Sequence, residues 1–304
     1  MEKIYKTRRY NLIGFLSLSI LFFSCAALPP SDPARAQPES FAAAEAVLPH
    51  WQPFEQGVGF FHGKTAKPEL EFWALRIELA APNLQIVVKG GAEDAAGGTD
   101  RTLSAKVSSF VSANGLTAGI NAAPFDIASS KENQPIKNVG IVISDGKQIA
   151  PANPRYDALV FYKDGKAAIV NQSEIKSTEN IVNAVGGFHH ILVNGEPAER
   201  TLKRESREPR SAAGISANGE YLYLLVIDGR RAGSGGSTEK ETAMLLLALG
   251  SWNGLNLDGG GSTALALRGA DGKVRVVNTP VHGGIPGRER AVVGCIGIAA
   301  DGLK

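Results

Sequence analysis

The residues best suited to chemistry lie in GLNLDGGGSTALAL (residues 254–267), where an apolar run delivers Asp258 to three successive glycines followed by Ser262 and Thr263. Three glycines add no packing and carry a backbone entropy cost, so a plain hairpin does not require all of them. Either Gly259, Gly260 and Gly261 turn a crowded sheet corner, or their amides approach an anionic ligand as a nest, with the Ser262 and Thr263 hydroxyls as further donors. A Walker loop would place a Lys after the glycines. A nucleophile elbow would place a Gly two residues after Ser262, where this chain has Ala264.

A second cluster, VIDGRRAGSGGSTEKE (226–241), ends an apolar run at Asp228, continues through Arg230 and Arg231, and enters a helix start at Glu241. An acid, two guanidinium groups and a helix amino terminus suit phosphate recognition. The alternative is an Asp-Gly hairpin with solvated arginines, Glu241 serving only as a cap. Arg207 and Arg210 precede a small-residue strand, and their planar forks match carboxylate or phosphate. Asn121 closes GIN before a Pro-Phe-Asp turn, placed either to bond a sugar hydroxyl or to brace that turn. His189 and His190 are adjacent at a strand entrance, so they point to opposite faces and at most one, His189, faces a site. The body has no C-x-x-C, H-E-x-x-H or calcium-loop pattern, so no metal or other cofactor is indicated, although Asp228 or Asp258 could hold a divalent cation.

These groups need a scaffold. Alternating or β-branched runs bounded by Asp-Gly or Asn-Gly at 69–79, 83–90, 139–147, 158–170, 190–196, 219–230 and 265–277 predict strands joined by hairpins. The first of these reads as half-buried, alternating through Phe72, Ala74 and Arg76. Two helices are expected. One puts Leu103, Val107, Phe110 and Val111 on a single face and stops at Gly115. The other has Thr238 and Glu241 as a capping box, an apolar body from Ala243 to Leu249, and Gly250 at its end. The fold class is therefore α+β: a mixed, largely antiparallel sheet core with a few packed helices in a single domain. Cys295, within AVVGCIGIA, reads as a buried strand thiol.

The first ten residues carry Lys3, Lys6, Arg8 and Arg9, and residues 12–23 form an apolar run too short for a membrane span. This is a signal peptide. Ser24-Cys25 after the run resembles a bacterial lipobox, with Phe22 where Leu is usual; cleavage after Ala26 or Ala27 is the alternative. The expected organisation is a lipoprotein-type signal over 1–24, acylation at Cys25, a Pro/Ala-rich tether over 25–50 and a folded body over 51–304. That places the protein at the bacterial cell envelope, facing either the periplasm or the exterior. Without the leader's cations the body is nearly neutral, which gives no footing for nucleic acid.

In order along the chain, GINAAPFD, VGGFHHILVNG, REPRSAAGI, VIDGRR, GSTEKETAMLLLALG, NLDGGGST and RERAVVGCIGIA resemble the phosphodiester glycosidase family over roughly residues 55–300. The family often has Gly-Gly where this chain has Ala122 and Ala123, and an Arg-Pro-Arg-Thr segment where it has Glu208, Pro209, Arg210 and Ser211. The resemblance implies hydrolysis of a sugar-1-phosphodiester of the N-acetylglucosamine-1-phosphodiester type, yielding free sugar and a phosphomonoester. It implies catalytic roles for Asp258, Asp228 and Glu241, and phosphate or sugar contacts from Arg210, Arg230, Asn121, the 259–263 turn and His189. The alternatives are an envelope lipoprotein that binds glycan or phosphoglycan without turnover, and an adhesin or structural lipoprotein.

Overall fold

The computed structural model describes residues 49–90, 100–126 and 131–300, all within one compact unit. The signal peptide, Cys25 and most of the tether lie outside the described residues. Among these residues no helix is long and apolar enough to cross a membrane.

Three sheets carry the fold, and every pairing between their strands is antiparallel. An eight-stranded sheet is ordered Gln52–Glu55, Val58–Ala66, Glu69–Glu78, Tyr221–Ile227, Arg210–Ile215, Asn253–Asn256, His190–Val193, Glu196–Pro197. One five-stranded sheet runs Val274–Val276, Leu265–Arg268, Ala118–Asn121, Cys295–Ala299, Gln85–Val88; the other runs Ala167–Asn171, Asp157–Tyr162, Ile181–Gly186, Val142–Ser144, Lys147–Ala150.

The largest sheet is buried on both faces. Trp73, Leu75 and Ile77, with Leu222, Leu224 and Val226, pack toward Ile120, Leu265 and Ile296 of one smaller sheet and Leu159 and Val185 of the other. Their intervening neighbours Phe72, Ala74, Tyr223, Leu225 and Ile227 pack against the helix Glu239–Leu249 (α2). Two-fold alternation therefore divides side chains between two cores, and 69–78 is not the half-buried strand its sequence predicts. The α2 helix begins on the expected capping box between Thr238 and Glu241 and ends at Gly250 with φ 113°.

The first helix, α1, is shorter than its pattern, covering Val107–Ala113. Thr102 and Leu103 pair with Ile136 and Pro135 in a two-stranded ribbon, so tertiary pairing takes the residues that would have formed its first turn. Val107, Phe110 and Val111 pack with Ala266, Val292 and Cys295. Cys295 is a buried strand thiol pushed up to about 12 by burial.

Candidate active site

Strand register gathers the chemistry at one end of the large sheet. Arg210 lies opposite Ile227, the last residue of one neighbouring strand, and Ala212 lies opposite Asn256, the last residue of the other. The chain thus leaves this end through Asp228 on one side and Leu257-Asp258 on the other, with Arg210 between them.

Asn121, at the end of its strand in a smaller sheet, stitches the two sheets together here. Its Nδ2 donates to the Asp258 carbonyl at 2.5 Å, while its Oδ1 accepts from Ser211 Oγ at 2.7 Å and the Ala264 amide at 3.1 Å. The Asn121 side chain is fully buried, and its hydrogen bonds go neither to an open site nor to the Pro-Phe-Asp turn: it braces the two ends of the glycine turn against the strand that Ser211 belongs to. The alanines that follow it are accommodated by Gly294: a Cβ there would sit 2.5 Å from that of Ala123.

Gly260–Ser262 forms a single 3-10 turn. Its surroundings consume amides: Asp258 donates to Ala122, Gly260 to Pro209, Ser262 to Gly259 and Thr263 to Gly260. The turn is therefore not an open row of free N–H groups, and the nest expected from sequence is largely spent on the fold. The glycines act by close approach. A Cβ on Gly259 would meet the Pro209 carbonyl at 2.8 Å, one on Gly260 (φ 61°) would meet the Arg230 guanidinium at 3.2 Å, and one on Gly261 would meet that of Arg290 at 2.6 Å. Two guanidinium groups thus rest on bare backbone. Arg290 also donates to Ser262 Oγ and to His282 Nδ1, each at 3.1 Å.

Asp258 sits at the mouth of this turn. The residue keeps some exposure, but its Oδ2 is buried and has no hydrogen-bond partner among the described residues; the same holds for Thr263 Oγ1. Burial pushes the Asp258 carboxyl up to about 6, against the opposing pull of the Ser262 hydroxyl, the Arg290 charge and the Gly259 amide. A carboxyl poised near neutrality in the field of Arg290 suits proton transfer or nucleophilic attack.

The other expected acids are differently placed. Asp228 is 1% exposed, and its carboxylate accepts from Arg231 Nε at 2.7 Å, Asn278 Nδ2 at 3.0 Å and the Thr279 amide at 3.1 Å. Asn278 also donates to the Thr263 carbonyl, so Asp228 steadies the far side of the glycine turn. Arg231 spans from Asp228 to Glu71. Glu241 completes its cap and holds Arg207 through both oxygens, at 2.9 and 2.5 Å. Arg230 pairs with Glu208 at 2.6 Å.

Glu239 was not singled out by sequence reasoning, because a Glu in the first helical turn reads as a dipole partner. It is 1% exposed and accepts from His189 Nε2 at 2.8 Å and Arg204 at 3.2 Å, with Arg210 at 3.7 Å. Burial by itself raises the Glu239 carboxyl, but the His189 hydrogen bond and charge, then Arg204 and Arg210, hold it below the ordinary range. His189 and His190 reach different carboxylates, Glu239 at 2.8 Å and Asp157 at 2.7 Å, yet both line one cavity, because His189 precedes the strand His190–Val193 and the alternation expected of strand neighbours does not apply to it. A cavity of about 770 Å³ lies beside this cluster, with His189 and Arg204 on its wall; Asp258 and the glycine turn are not part of its lining. Arg290, also missed as a site residue, lies within the RERAVVGC segment between Glu289 and Ala291, and no local signal marks it, because the glycine it rests on is Gly261, far off in sequence.

Residues 114–299 match the family model for phosphodiester glycosidases. The chain belongs to the phosphodiester glycosidase family. The matched span contains Asn121, His189, Arg210, Asp228, Glu239, the 258–263 turn and Arg290, while Glu71 lies before it, and the family is one of hydrolases. Among solved structures, it is similar to the catalytic domain of zebrafish N-acetylglucosamine-1-phosphodiester α-N-acetylglucosaminidase, auto-inhibited there by its pro-peptide, with 19% identity over 82% of this chain and 84% of that one and a TM-score of 0.60. A hypothetical protein from Synechocystis is similar at 15% identity, TM-score 0.58, over 80% of this chain, and this chain spans 62% of its length. A protein from Burkholderia pseudomallei K96243 matches at 15% identity and TM-score 0.52, over 76% of this chain and 74% of that one. No curated protein matches by sequence.

Proposed function

We propose that this phosphodiester glycosidase is an exported, lipid-anchored enzyme of the bacterial envelope that cleaves a sugar-1-phosphodiester of the N-acetylglucosamine-1-phosphodiester type to free sugar and a phosphomonoester. The observation that carries the reading is the buried, unpartnered oxygen of Asp258 in the field of Arg290, with Arg290 and Arg230 both seated on the glycine turn that follows it. A departing phosphate monoester is already a stable anion, so its developing charge needs fixed cations more than a strong general acid. Arg290 and Arg230 supply that charge. Asp258 then works ionised, as base toward water or as nucleophile toward the anomeric carbon, where the transition state is oxocarbenium-like. Asp228, Glu239, Glu241 and Asn121 hold these groups in place, with Arg210 and His189 held by Glu239 nearby.

Incubating the protein with a panel of sugar-1-phosphodiesters in ¹⁸O-water tests this. Label in the released sugar, whose anomer is read by NMR, is expected; label in the phosphate would mean phosphorus–oxygen cleavage and would sink the glycosidase chemistry.

The charge geometry also sets a pH profile. With Asp258 required ionised, kcat/KM is expected to fall below an acidic limb near pH 6. Arg290 lowers that carboxyl electrostatically, so Arg290→Gln moves the limb upward by about one pH unit. A limb that stays put, or moves down, in the variant refutes the pairing.

The membrane reading has its own check. Cys25→Ser is expected to transfer the protein from the membrane pellet to the soluble fraction and to abolish the lipid mass on the mature amino terminus. Unchanged pelleting would exclude Cys25 as the anchor.

A further inference from the structure

The cavity of about 770 Å³ has no part in the chemistry at Asp258, yet its wall is built from charge. Arg155, Arg200, Lys203 and Arg204 face it, against Asp157 and Glu199. Both acids are engaged: Asp157 Oδ2 accepts from the His190 amide at 2.6 Å and meets its ring at 2.7 Å, and Glu199 pairs with Lys203 at 3.1 Å. Among the described residues, the Arg155 and Arg200 guanidinium groups make no ion pair. The surplus is cationic.

Behind His189 and Arg204 lies a costly arrangement. Glu239 is buried at 1% exposure with His189 and Arg204 upon it, although Thr238 and Glu241 already cap the helix it begins. Burying a charged cluster is not needed for that helix and carries a desolvation cost. What it accomplishes is to hold Arg204 at the cavity and Arg210 at the sheet end on a single carboxylate. The cavity also abuts the catalytic strand, because the His189 carbonyl accepts from the Asn256 amide at 3.0 Å, two residues before Asp258. Asn171 and His190 also line the cavity, but with both acids engaged the groups left without an ion pair are the Arg155 and Arg200 guanidinium forks, whose geometry matches phosphate oxygens.

We propose that this cavity binds a phosphate on the leaving side of the substrate, beyond the scissile phosphodiester, so that the preferred substrate is a glycosyl phosphodiester whose aglycone carries at least one further phosphate. The inference rests on the activity proposed above and names its substrate class.

Its test uses the full chain and a pair of N-acetylglucosamine-1-phosphodiesters, one with a methyl aglycone and one with a phosphoethyl aglycone. The wild-type protein is expected to show a KM at least about tenfold lower for the phosphoethyl substrate. The double variant R155A/R200A should erase that preference while kcat/KM for the methyl substrate stays within about twofold of wild type. Equal KM values in the wild type, or a preference that survives in the double variant, overturns the proposal. Calorimetric titration with inorganic pyrophosphate separates this from failure of the activity itself. If neither substrate releases sugar, the proposed reaction is wrong, and the cavity stands if R155A/R200A weakens pyrophosphate binding at least about tenfold. An unchanged isotherm, or no binding by the wild type, brings it down.

Discussion

Asp258→Asn is expected to lower kcat by at least about 100-fold and, at pH 7, to make the protein more stable. The two effects share one cause. A carboxyl held near 6 rather than 3.8 has lost more hydration than its partners return, so ionising it costs the folded state about 3 kcal/mol. The sign follows from proton counting: between pH 4 and 6 the folded state binds more protons than the unfolded one, so this group's contribution to stability declines as pH rises through that window and is fully unfavourable above it. An amide carries no charge and escapes that cost. The variant should unfold several degrees higher than wild type at pH 7 and lose the advantage near pH 4. Scanning calorimetry at both pH values, with turnover on the same preparations, decides the matter. Near-wild-type turnover would remove Asp258 from the reaction, and a variant less stable at pH 7 would refute the desolvation cost.

Asp228→Asn has an equally large expected effect with the opposite stability signature. Its carboxylate, at 1% exposure, takes Arg231, Asn278 and the Thr279 amide at once. An amide there turns one acceptor into a donor facing donors and removes the more deeply buried of the two carboxylates that Arg231 spans. Breaking such a pair costs about 3–5 kcal/mol, which lowers the thermal midpoint by roughly 10 °C in a body of this size. Turnover should drop about 100-fold, because Asn278 and Thr263 lose their anchor and the glycine turn shifts under Arg230 and Arg290. The acidic limb near pH 6 should persist, since Asp258 remains the titrating group. Undiminished stability accompanied by lost turnover would instead make Asp228 a reacting group.

Local patterns carried the architecture well. The Asp145-Gly146 and Asn194-Gly195 pairs sit at positive φ in the hairpins their spacing predicts, and the α2 caps lie where Thr238, Glu241 and Gly250 placed them. Those features depend on a few neighbouring residues. The missed ones depend on distant residues: the first turn of α1 yields to pairing with Pro135 and Ile136, and Phe72 finds a helix that the alternation of its own strand could not announce.

For the site, the chain's order of residues determined which segments carry chemistry: an Asp before three glycines, an Asp-Gly-Arg-Arg strand end, an Asn closing an apolar run, and the family they jointly mark. The division of labour among the acids belonged to the tertiary structure. Asp258, Asp228, Glu239 and Glu241 all stand at strand or helix ends, and nothing in their immediate neighbours tells them apart. What separates them is how many donors arrive from elsewhere: Asn278, Thr279 and Arg231 saturate one, Arg207 occupies another, His189 and Arg204 a third. Asp258 is left dry with one oxygen unclaimed. Desolvation and unmet hydrogen bonding are sums over all surrounding atoms, so they come into being only when the strands are brought together.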